Sequence, residues 1–128
     1  MKKLLLILSL VLFSTPSFAE WRELSSSKTA TFYLDMDNIK KRSSYVYFWK
    51  LVNVTDNDPK WLFRSYRSYN KGDCNDFKSM SLQTEYFSGQ MLKGNLVNSQ
   101  GEDNKWSYPA PRTFSAEILD FVCEYSGN

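Results

Sequence analysis

Apolar and polar positions along this chain alternate mostly with the period of strands, and only the last segment switches to the period of a helix. Trp21 to Leu24 and Thr29 to Leu34 are short apolar-aromatic runs separated by Ser25-Ser26-Ser27, which predicts two strands and a turn. Asp35 to Lys41 is polar around one anchor, Ile39, and suits a helical turn. Tyr45 to Val54 is the strongest strand signal, nearly all β-branched or aromatic. With both faces apolar it predicts a central strand in which Phe48 and Trp49, on opposite faces, are both buried. Asp56-Asn57-Asp58-Pro59 is a turn. A strand over Trp61 to Tyr69 follows, placing Trp61, Phe63 and Tyr69 on one face and Leu62, Arg64 and Tyr66 on the other. Lys71-Gly72-Asp73 is expected to turn the chain into Cys74. Met80, Leu82, Thr84 and Tyr86 alternate with Ser79, Ser81, Gln83 and Glu85 as a half-buried strand. Met91 to Val97 is a weaker strand broken by Gly94, and Ser99 to Asn104 is a polar loop.

Beyond Pro109 and Pro111 the period lengthens. Thr113 suits a helix N-cap, and Phe114, Ile118, Phe121, Val122 and Tyr125 form one apolar stripe opposite Glu117, Asp120 and Glu124. Strands followed by one terminal helix predict an α+β domain: an antiparallel β-sheet with one C-terminal α-helix packed on it. No repeat, low-complexity stretch or linker interrupts the chain, so residues 20–128 are expected to form a single domain.

The first nineteen residues change the charge picture. Met1-Lys2-Lys3, the apolar run Leu4 to Phe13 and the small-residue end Ser17-Phe18-Ala19 have the layout of a signal peptide cleaved before Glu20. The run is too short to span a bilayer. The full chain has 16 basic and 14 acidic residues. Lys2 and Lys3 fall in the leader, so the mature chain is formally neutral and carries no global electrostatic footprint for nucleic acid or an anionic membrane. No Cys stands at the cleavage site to carry a lipid, and no membrane insertion is expected after cleavage. The expected location is exported, in the periplasm or at the cell surface.

Histidine is absent. That removes the central residue of Ser-His-Asp and Cys-His chemistry and of His-ligated zinc. Cys74 and Cys123 are the two cysteines. In an exported chain they read first as one disulfide closing a loop of about fifty residues, worth roughly 4 kcal/mol. The alternative, a redox pair, calls for Cys-x-x-Cys or an activated thiol, and the sequence offers neither. Asp35-Met36-Asp37 and Asp56-Asn57-Asp58 begin like calcium loops, but Val46 and Arg67 stand where the twelfth-position Glu belongs, so both read as turn-forming acids. Asn53-Val54-Thr55 matches a glycosylation sequon by chance, at a strand end. Glu85 and Asp58 could be paired as glycosidase carboxylates only by invention. No phosphate loop and no nucleophile elbow is present; a non-enzymatic chain without cofactor or metal is expected.

One ordered set of residues stands out. Pro59-Lys60 precedes Arg64-Ser65-x-Arg67-x-Tyr69, and Cys74 follows five residues later. Phe32-Tyr33-Leu34-Asp35 and Ile39 come before; Tyr86-Phe87-Ser88, Met91, Gly94, Trp106-Ser107-Tyr108-Pro109 and a helix ending in Cys123 come after. From Trp21 to Cys123 this pattern resembles the surface-adhesin protein E-like family of exported bacterial domains. The resemblance implies a small antiparallel sheet, a C-terminal helix and one disulfide. It also implies binding of host matrix and serum proteins such as laminin, vitronectin and plasminogen. By the same similarity Lys60, Arg64, Arg67 and Tyr69 fall in a region implicated in such binding. Arg112 departs from the Pro-Gly-Ser helix start of that family. A second reading, from a different class, is a periplasmic inhibitor of cell-wall hydrolases presenting the Ser99 to Asn104 loop.

Overall fold

The computed structural model describes residues 20–126, so the leader expected at 1–19 lies outside the described residues. The strands are β1 (Trp21–Ser26), β2 (Ala30–Asp35), β3 (Lys40–Arg42), β4 (Tyr45–Val54), β5 (Ser65–Asp73), β6 (Lys78–Phe87) and β7 (Leu96–Gln100). One helix, α1 (Phe114–Ser126), ends the described chain. All pairings are antiparallel, in the order β1-β2-β4-β5-β6-β7, with β3 pairing the first residues of β4. The α+β class with a C-terminal helix is therefore as expected. β4 is central: β2 and β3 lie in tandem along one of its edges, and β5 pairs along the whole of the other.

The core lies between one face of this sheet and α1. Leu34, Val46, Phe48, Ile118, Leu119 and Val122 form it, with Phe32, Phe77 and Phe121 packed around them. The helix begins on Thr113, whose Oγ1 accepts a hydrogen bond from the Ala116 N–H at 3.2 Å and donates to the Ala110 carbonyl at 2.7 Å. Its buried stripe is turned by one residue from the expected one. Leu119 is buried beside Val122 and Ile118, whereas Tyr125 is 48% exposed and stacks on Phe121. Gly72 explains the turn. A Cβ there would stand 2.8 Å from Leu119 Cδ1 and 3.0 Å from Val46 Cγ1, so the missing side chain lets the helix settle on β5.

Gly72 also overturns the expected turn at 71–73. Those residues continue β5, and the chain reverses one step later, where the Asp73 carboxylate accepts from the N–H groups of Asn75 and Asp76 at 3.0 and 3.1 Å. The reversal brings Cys74 to Cys123, and the disulfide forms across a Cα–Cα distance of 5.8 Å. It fastens the end of β5 to the last turns of α1.

Other expectations shift for identifiable reasons. The strand expected from Trp61 starts only at Ser65, because Asp56 and Asp58 cap successive N–H groups, of Asp58 and Lys60, and hold the preceding segment in an irregular loop. The period of two along β6 is broken by a bulge opposite Tyr69 and Asn70. Met80 pairs with Lys71 on one face, while Thr84 and Tyr86 pair with Ser68 and Tyr66 on the other. The segment expected as a strand from Met91 is a 3₁₀ turn, Gln90–Leu92, pinned when the Met91 and Leu92 N–H groups donate to Asn53 Oδ1 and Ser65 Oγ at 2.8 Å each. Part of the polar loop at 99–104 belongs to β7. Trp49 is only half-buried, unlike Phe48 at 3% exposure, because a single helix covers a single face.

Candidate functional site

The face of the sheet turned away from α1 is built from the odd-numbered residues of β4 and β5. Tyr45, Tyr47 and Trp49 on β4 stand opposite Asp73, Lys71 and Tyr69 on β5. Every one of the three β4 side chains is a Tyr or Trp, whose rings pack while their polar atoms stay wet, whereas the neighbouring even positions Val46 and Phe48 are purely apolar. That difference marks which face meets solvent, and it is readable in the sequence once the strand is recognised as one-sided.

The rings form two neighbouring groups along this face. Trp49 and Tyr69 lie 4.9 Å apart between centroids, Tyr69 and Tyr47 6.1 Å, and Tyr45 and Trp106 5.9 Å. Trp106 reaches this face because Ser107 bridges to Ser79 at the outer edge of β6. Cations lie over both groups. Lys71 Nζ is 4.1 Å from the Tyr45 ring centre and 5.7 Å from that of Trp106, and Lys78 Nζ is 4.6 Å from Trp106. The guanidinium of Arg67 lies 5.2 Å from the centre of Trp49, and that of Arg42 lies 5.8 Å from Tyr47. Each such contact at a half-exposed site contributes about 0.5–1 kcal/mol and holds a long side chain in a defined pose.

Acids neutralise only part of this charge. Arg67 Nε donates to Glu85 Oε1 at 3.0 Å, and Lys78 Nζ lies 3.5 Å from Asp76 Oδ2. Lys71 and Arg42 form no ion pair among the described residues. Residues 20–128, formally neutral as a whole, thus carry a locally positive, aromatic face. Such a surface fits acidic, partly apolar segments of a protein partner: aromatic and Arg side chains supply anchoring area, and unpaired cations supply attraction over a Debye length of about 10 Å.

Of the residues expected in a partner site, the fold brings Arg67 and Tyr69 together on this face and sets the other two apart. Arg64 directs Nη1 to the carbonyl of Asp56 and ties down the loop before β5. Lys60 is exposed on the helix side of the sheet, at the rim of a groove described below. Arg64, expected on the strand face opposite Tyr69, is thus a loop anchor, and Arg67 lies on the same face as Tyr69. Tyr47, Tyr45, Trp106, Lys78 and Arg42 were not singled out as partner residues; Trp106 and Lys78 join only through turns that bring distant segments alongside. Asp58 and Glu85 are each committed locally, to the Lys60 N–H and to Arg67. Asn53 of the sequon is buried and accepts the Met91 N–H.

An antiparallel sheet of this order, one C-terminal helix and a bridge from β5 to that helix define a small disulfide-bonded α+β domain. Residues 21–124 match the surface-adhesin protein E family, and the chain belongs to it. Membership implies an adhesin-like binding protein with an exported or cell-surface location. Among solved structures, protein E of Haemophilus influenzae in crystal form II is 18% identical, with a TM-score of 0.66, covering 89% of this chain and 94% of that one. A second structure of the same protein gives 18% identity and a TM-score of 0.64, over 88% and 90% of the two chains. Protein E from non-typeable Haemophilus influenzae gives 17% and 0.55, over 88% and 82%. At that identity the likeness establishes the fold. No curated protein matches the chain.

Proposed function

We propose that the mature domain, starting at Glu20 after removal of residues 1–19, is an adhesin that binds host matrix or serum proteins through the cation–aromatic face of its sheet. Laminin, vitronectin and plasminogen are the partners to try first. The observation that carries this reading is the group Arg67–Trp49–Tyr69–Tyr47, with Lys71 over Tyr45 and Trp106 beside it. The family supports a binding role, and this face supplies a surface able to perform it. Arg67, Tyr69 and Lys71 act there; Lys60 and Arg64, which the sequence pattern also pointed to, serve the neighbouring loop. Encounter is driven by charge and retention by the rings, so binding is weak and salt-sensitive.

Surface plasmon resonance of the mature domain against the three proteins at low and high salt tests this reading, with circular dichroism as the folding control. Arg67→Glu with Lys71→Glu should weaken binding about tenfold or more and flatten its salt dependence, while Lys60→Ala changes it less than about twofold. Absence of binding by the wild type, or equal binding by the folded double variant, rejects the assignment. Intact mass of the exported protein checks the start at Glu20.

A further inference from the structure

α1 covers only part of its side of the sheet. Beyond it, the even-numbered residues of β4 and β5 and their partners on β6 floor an open groove of about 1520 Å³, walled by residues 60–63 and by Val97, Gln100 and Asp103. Its two regions differ in chemistry. In one, Lys50 stands opposite Ser68 in the β4–β5 ladder. Ser68 Oγ is 3.2 Å from both Ser81 Oγ and Thr84 Oγ1, which are themselves 3.1 Å apart. Asn70 Nδ2 donates to the Ser68 carbonyl at 2.9 Å. Ser68 Oγ also donates to Asn70 Oδ1 at 3.4 Å, so the three hydroxyls have fewer hydrogens than lone pairs to fill and keep acceptor capacity, and the amide of Asn70 keeps a second N–H. In the other region, Val52 and Val54 form the floor, and Trp61, 41% exposed, packs edge-on against Phe63.

Lys50 is the unusual member. Protein mass around its ammonium removes water and lowers its pKa from 10.5, with burial as the cause. It forms no ion pair among the described residues, although Glu102 and Asp103 also line the groove. An unpaired cation at a partly buried position costs stability that a bound anion would return.

We propose that this groove binds an oligosaccharide bearing one carboxylated sugar. The carboxylate pairs with Lys50 Nζ. Sugar hydroxyls donate to the open lone pairs of Ser68, Ser81 and Thr84 and accept from Asn70, and the C–H face of an adjoining neutral sugar packs on Trp61. An acyl chain would cover those oxygens without satisfying them. An extended peptide would find the backbone of β4, β5 and β6 already paired within the sheet. A polyanion would meet Glu102 and Asp103. The site is independent of the cation–aromatic face, on the opposite side of the sheet.

Titration of the mature domain, followed by tryptophan fluorescence and calorimetry, tests the proposal with sialyllactose as the acidic probe. Lactose is the neutral control, a sulfated heparin tetrasaccharide the polyanion and decanoate the acyl acid. Sialyllactose should bind with a Kd near or below about 1 mM and lactose about tenfold more weakly. Lys50→Met should abolish the difference between the two sugars, and Trp61→Ala should weaken both. Arg67→Glu with Lys71→Glu should change neither, which separates this site from the adhesive face. In the wild type, raising the pH through the lowered pKa of Lys50 should remove the preference for sialyllactose, a readout that does not depend on any variant folding. No binding of sialyllactose up to about 10 mM overturns the proposal. So does an unchanged preference in Lys50→Met or at high pH, or tighter binding of decanoate or of the heparin fragment.

Discussion

The two faces of β4 use the same strand for opposite ends. On the helix side Val46 and Phe48 are buried beneath Ile118, Leu119 and Val122, and their contribution is non-directional burial of apolar area. On the other side Tyr45, Tyr47 and Trp49 remain half-exposed and are braced by cations and by one another. Adjacent residues, Phe48 and Trp49, therefore carry different kinds of energy. One holds the fold together. The other holds a surface in a fixed shape without being essential to the core.

That contrast can be broken most directly at the adjacent pair. Phe48→Ala should cost about 3–5 kcal/mol in urea unfolding, as a core truncation. Trp49→Ala should cost only about 1–2 kcal/mol, the share of a half-buried ring and its Arg67 contact, and should reduce partner binding. Equal losses would mean that both faces are core. Removing the bridge is next in size. Replacing Cys74 and Cys123 together by Ser should destabilise the domain by about 2–4 kcal/mol, measured by the same unfolding curves, because α1 is otherwise held to the helix side only by packing.

Lys50 sharpens the comparison from within the helix-side face. Its folded pKa is lowered by burial, so between that value and the ordinary 10.5 the unfolded chain binds more protons than the folded one. Stability should therefore rise as pH rises through this window, and Lys50→Met should remove that part of the rise while stabilising the domain at neutral pH. Tyr66 works the other way at higher pH. Burial, with Tyr86 adding to it, raises its pKa above 10.0, so its contribution falls as pH rises past that value. Chemical denaturation at a series of pH values reads both. The smallest effect is expected at Arg112, which holds φ at 66°, in the left-handed region that glycine occupies at little cost. Arg112→Gly should raise stability by about 0.5–1 kcal/mol without affecting either face, as a shift in the denaturation midpoint would show.

The periodicity of the chain was enough to predict the class of fold, the central strand over Tyr45 to Val54, the cap at Thr113 and the terminal helix, because each follows from local spacing and side-chain shape. Cys74 and Cys123 allowed only one bridge. Arg67 and Tyr69 could be singled out, together with Lys60 and Arg64, only from the family resemblance. The face to which they belong could not, since it depends on which side of the sheet α1 covers, and that follows from Gly72 admitting Leu119 onto β5. The bulge opposite Tyr69 and Asn70 was equally hidden, and it alone places Thr84 on the groove side and Met80 with the cations. Trp106, Lys71 and Tyr45 lie far apart in the chain, and only the pairing of β4 with β5 and the bridge from Ser79 to Ser107 bring them into contact. Local propensity acts over a few residues. The choice of which face is buried is a property of the whole packed sheet, so the surface available to a partner was decided by tertiary structure.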